Sequence, residues 1–77
     1  MSQAQDNALA LTVVADAITA QTNSLQNSQL HYQGAAAHAA ASAAWAATNA
    51  NPRMVTYHGS QASSHAATAA SLKSAGK

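Results

Sequence analysis

The chain has 77 residues and a formal net charge of +1, with 48% hydrophobic residues but no Phe and no Cys. Its charged side chains, Asp6, Asp16, Arg53, Lys73 and Lys77, cannot build the basic face that phosphate neutralisation requires, so no nucleic acid is expected as a partner. The absence of cysteine excludes disulfides and thiolate metal sites.

Alanine supplies 23 of the residues. One buried methyl contributes ~0.8 kcal/mol, against ~1 to 2 kcal/mol for fixing a residue's backbone. A chain near this size buries only ~60% of its unfolded surface. It is therefore expected to complete its burial against copies of itself or a partner, and its low charge suits dense association.

The first predicted helix covers residues 3–22. Ser2 with Gln5 forms a capping-box pattern. Leu11, Val14, Ile18, Leu25 and Tyr32 follow as an apolar stripe, in which Leu11, Ile18, Leu25 and Tyr32 are seven apart. Their companions Gln21 and Ser28 are polar, which argues against a clean two-stranded coiled coil. Residues 8–20, ALALTVVADAITA, are too short for a span and carry Asp16, so no stable membrane insertion is expected. They look like the core of a signal peptide followed by Ala15-Asp16-Ala17. No Lys or Arg precedes them, however, so cleavage is not expected.

Residues 21–29, QTNSLQNSQ, contain Asn and Ser side chains that compete for backbone hydrogen bonds. A break and a continuous helix are both open there, which leaves two or three helices in all. The second helical stretch, 29–49, presents small faces through Ala35, Ala39, Ala43 and Ala47 and through Ala36, Ala40 and Ala44. The stretch NANPR, 49–53, predicts a turn. A third helix over 54–73 should return antiparallel, with Val55, Ala62, Ala66, Ala69 and Leu72 on one face. The fold class expected is all-α: two or three Ala-rich helices, a helical hairpin turning near Pro52, packed into a polymer. Its candidate assembly contacts are Leu11, Ile18, Leu25, Tyr32, Trp45 and Tyr57, with Trp45 expected between subunits.

His31, His38 and Trp45 are seven apart, as are His58, His65 and Leu72. A hairpin centred near Pro52 would set Trp45 opposite His58, His38 opposite His65 and His31 opposite Leu72. Histidine titrates near pH ~6.5 and adjacent imidazoles resist double protonation, so His31, His38, His58 and His65 form a candidate pH switch. For metal, His38 with His65 is the one pair that could share an ion, and neither Glu nor Cys is present to complete a zinc set. No metal or cofactor is expected. Asp6 and Asp16 read as helix-start charges, and no nucleophile elbow or phosphate-cradling loop occurs. A non-enzyme is expected.

The stretches DAITAQTN (16–23), YQGAAAHA (32–39) and ATNAN (47–51), followed by a second half rich in Ala, Gln, Ser and Thr, resemble the Reb family, the killing-trait proteins of bacterial R-bodies. The resemblance runs from about Val13 to Ala70. It implies a helical structural subunit that polymerises in the bacterial cytoplasm into a ribbon coiled as a hollow roll. In some members of the family the roll extends on acidification and ruptures a target membrane. A homo-polymer is implied, with room for a homologous second subunit. The alternative is a secreted helical-hairpin subunit or partner-binding module of an export or filament system.

Overall fold

The computed structural model describes residues 2–77, which form three helices: α1 (Gln3–Thr22), α2 (Ser28–Thr48) and α3 (Pro52–Ser74). Among the described residues there is no strand. The helices run alongside one another in a bundle 43 × 17 × 13 Å in extent. α2 packs against both neighbours. α1 and α3 meet through side chains, Thr12 with His58 and Thr19 with His65.

Local sequence sets the helix ends. The Ser2 hydroxyl accepts the Gln5 N–H at 3.1 Å, and the Gln5 side chain accepts the Ser2 N–H at 3.3 Å, completing the capping box. The open choice at residues 21–29 resolves as a break. α1 stops at Thr22, and the Asn27 side chain caps α2 by accepting the Leu30 N–H at 3.0 Å. α2 stops at Asn49, whose φ of 55° is a left-handed conformation that asparagine adopts readily. α3 opens at Pro52 rather than Met54. Proline in the first turn gives up an N–H that has no intrahelical acceptor there. At the other end of the bundle the Ser28 N–H donates to the Lys77 carbonyl at 3.2 Å, tying the end of the chain to the start of α2.

The core differs from the expected apolar stripe. On α1 the buried residues are Ala8, Ala15 and Thr22, while Val14 is exposed and Leu11 and Ile18 are half-buried. Leu25 lies in the loop, 57% exposed, and Tyr32 is exposed on α2, so the series seven apart crosses two helices and does not form one stripe. The reason lies opposite. α2 fills the core with His31, His38 and Trp45, and rings of that size leave room only for small residues on α1.

Trp45, expected between subunits, packs inside the single chain. It is 8% exposed, and its indole N–H donates to Thr12 Oγ1 at 2.8 Å within the same chain. It fills the core of the bundle, and its remaining edge lines a shallow pocket with Ala46, Asn49, Pro52 and Val55. No helix among the described residues is long and apolar enough to cross a membrane.

Candidate functional site

All four histidines lie in the core: His38 and His58 are fully buried, and His31 and His65 nearly so. α2 brings His31 and His38 to one face two turns apart, and α3 brings His58 and His65 to the face opposite. Gly34 makes room for one of them. A Cβ added there would stand 3.2 Å from Cγ and Cδ2 of the His65 ring, which therefore rests against the α2 backbone.

The pairing expected from the hairpin shifts. The His31 and His65 Nδ1 atoms are 2.8 Å apart, and those of His38 and His58 are 2.7 Å apart. His38 and His65, expected at one level, are stacked with centroids 5.5 Å apart and planes 16° from parallel, but they share no direct hydrogen bond. His31 thus faces His65 and not Leu72, and Trp45 reaches His58 only through Thr12. Side chains of packed helices settle into the gaps of the facing helix, so the α3 rings interleave with those of α2.

Two threonines of α1 join the pairs. Thr19 Oγ1 lies 2.7 Å from His38 Nε2 and 2.9 Å from His65 Nε2. Thr12 Oγ1 lies 3.3 Å from His58 Nε2, accepts the Trp45 N–H, and donates to the Ala8 carbonyl at 2.8 Å. The result is one continuous chain: His31, His65, Thr19, His38, His58, Thr12, Ala8.

Counting hydrogens along this chain sets its charge. A neutral imidazole carries one N–H and one bare nitrogen, and every link needs one hydrogen. Because Thr12 donates to Ala8, His58 must donate through Nε2, and its bare Nδ1 accepts from His38. The bare His38 Nε2 then accepts from Thr19, which in turn accepts from His65 Nε2, and His65 Nδ1 accepts from His31. Every link is filled with all four rings neutral. The count leaves one bare nitrogen, His31 Nε2, and this is the one buried side-chain polar atom among the described residues with no hydrogen-bond partner.

Electrostatics agrees with neutral rings. Burial pushes the His38 pKa below the usual 6.5, helped by neighbouring His58 and His65 and opposed by Asp16. Burial, together with His31, also lowers that of His65. Tyr57 lies edge-on to His58 with centroids 4.9 Å apart and edge-on to His38 at 6.3 Å.

Asp16 is a residue whose role the sequence reading missed. It lies in the body of α1 and is no helix-start charge, whereas Asp6 is in the first turn. Ligand atoms of Asp16, His38 and His58 lie within 4.8 Å of one another, a grouping that the pairing of His38 with His65 alone did not foresee. Two nitrogens on a tetrahedral zinc stand ~3.3 Å apart. The facing Nδ1 atoms of His38 and His58 are closer, at 2.7 Å, and already bond to each other. The arrangement fits a hydrogen-bonded imidazole pair beside a carboxylate better than an ion site.

Neither protein-family models nor curated proteins nor solved structures match this chain.

Proposed function

We propose that this chain is the structural subunit of a self-assembling ribbon of the R-body kind, with an acid response held in its histidine core. The observation that carries the reading is the buried chain of four imidazoles in a protein otherwise nearly free of charge. Protonating those rings puts cations into a core with a single carboxylate, Asp16, beside them, at a cost that loosens helix packing. Such a core converts a fall in pH into a change of subunit shape.

Two further features support assembly. Leu9, Val13, Val14, Leu25, Tyr32 and Tyr57 are exposed large apolar side chains. Ala4, Ala10, Leu11, Ala44 and Ala47 line a shallow groove of about 440 Å³ between α1 and α2, which a large side chain of a neighbouring copy can enter. The resemblance to the Reb family in residues 16–23, 32–39 and 47–51 supplies the ribbon, the bacterial cytoplasm and the disruption of a target membrane on acidification. The polymer is built from this chain, alone or with a homologous subunit.

Negative-stain electron microscopy of the purified protein at pH 7 and at pH 5 tests this. Ribbons or rolls at pH 7 that lengthen or unroll at pH 5 are expected. Dispersed monomers at both pH values would overturn the assembly reading, and assemblies of one shape at both would remove the acid response.

A further inference from the structure

We infer that the four histidines act as two single-proton sites, the pairs His31–His65 and His38–His58, so that the folded core takes up two protons and excludes the third and fourth. The argument rests on the links. Each pair is closed by one Nδ1···Nδ1 contact, 2.8 Å in the first and 2.7 Å in the second, and such a contact holds one hydrogen.

A neutral pair carries two hydrogens, one in the link and one on an outer Nε2. Adding a proton fills the second Nε2 and leaves the link whole, with the charge shared between the two rings. A second proton on the same pair has only Nδ1 left to bind. Two N–H groups would then point at each other across less than 3 Å, and the link must open.

The outer atoms are placed to receive one charge per pair. When His38–His58 is charged, its two Nε2–H groups meet Thr19 Oγ1 and Thr12 Oγ1, and Asp16 of α1 stands beside the ring nitrogens. Tyr57 of α3 closes the same pair edge-on. This pair charges first. Protonating His38 Nε2 removes the acceptor of the Thr19 hydroxyl, whose Oγ1 already accepts from His65 Nε2–H in the neutral chain. The Thr19 hydroxyl hydrogen then turns to the carbonyl one helical turn back, as that of Thr12 already does toward Ala8. When His31–His65 is charged as well, the added hydrogen goes to His31 Nε2, the nitrogen that the neutral chain leaves without a partner.

Opening the helices releases the remaining two sites, so opening and the uptake of about two protons are linked. This deepens the acid response proposed above but is read on the single chain, whether or not it polymerises.

The test is an acid titration of the full-length protein with ¹⁵N-labelled histidine, in a buffer containing a chelator, following imidazole charge by magic-angle-spinning NMR and Trp45 burial by fluorescence. The expected result is an intermediate with two of the four rings charged in total and Trp45 still buried. A transition follows in which Trp45 becomes exposed with a slope of about two protons. Four charged rings with Trp45 buried would overturn the inference, as would Trp45 exposure before any ring is charged. Replacing one pair by the double substitution His31→Leu and His65→Leu should lower the slope to about one. If that variant does not fold, the wild-type count decides. Ribbon formation with the wrong count sinks this inference alone, whereas the right count without ribbons sinks only the assembly reading.

Discussion

His38 of α2 and His58 of α3 face each other with Nδ1 atoms 2.7 Å apart and ring planes 30° from parallel. Both rings are fully buried, and their bond ties the hairpin together where most small helical proteins place aliphatic side chains. The bond requires at least one bare Nδ1, and acid removes bare nitrogens.

The bundle should therefore be least stable in acid. The His38 and His65 pKa values are lowered in the folded chain, while the unfolded chain titrates near ~6.5. Below that value the unfolded state binds more protons than the native state, so stability falls. Above it the stabilising contribution is fully present. Thermal melts followed by circular dichroism should show a constant midpoint from pH 8 to about pH 7 and a falling one from there to pH 5. A midpoint that rises on acidification would contradict the neutral-ring assignment.

Asp16→Asn should steepen this loss. The carboxylate acts on His38 in the direction that raises its pKa, and Asp16 is exposed, so the folded chain at pH 8 should hardly change. In acid, without the counter-charge, His38 resists protonation further. NMR titration of the His38 ring should show its midpoint moving to lower pH. An unmoved or raised midpoint would separate Asp16 from the histidine chain.

The two helical glycines should respond in opposite ways to alanine. At Gly59 a Cβ meets only Ser42 Oγ at 3.7 Å, an ordinary contact, so Gly59→Ala should stabilise by about 1 kcal/mol through helix propensity. At Gly34 the same methyl would press on a His65 ring held by hydrogen bonds at both nitrogens. Gly34→Ala should cost more than propensity returns and lower the denaturation midpoint. Equal stabilisation by both would mean that the His65 ring is free to move.

Much of this was legible in the sequence, and the rest has a physical reason for being hidden. The capping box at Ser2 and Gln5, the turn at 49–53 and the spacing of seven in both histidine pairs are local patterns, and they predict a helical hairpin with histidines on facing sides while leaving the break at 21–29 open. Which ring bonds to which depends on how two helices interdigitate, and an offset of half a heptad escaped a hairpin drawn level by level. The small face of α1 was hidden because the stripe search weighs large apolar side chains, whereas space opposite Trp45 and the histidines decided the outcome. Thr12 and Thr19 left a readable signal. They are mid-helix threonines, disfavoured there by propensity, and they stand seven apart, matching the histidine spacing they serve.

Thr19 offers a sharp contrast between substitutions. Thr19→Val keeps the shape but removes the oxygen that meets His38 and His65, leaving buried nitrogens unpaired at a cost of about 1 to 3 kcal/mol. Thr19→Ser keeps the oxygen and should retain most of the stability. Urea denaturation of both variants at pH 8 measures the difference, and equal losses would deny the hydroxyl its linking role.

The most direct test of the neutral, hydrogen-bonded chain is the tautomer of each imidazole at pH 8, read from ¹⁵N chemical shifts by magic-angle-spinning NMR. Within each pair the two rings should be opposite tautomers: His31 and His38 carrying hydrogen on Nδ1, His65 and His58 on Nε2. Four identical Nε2–H tautomers would leave bare nitrogens facing each other across both links and would contradict the chain.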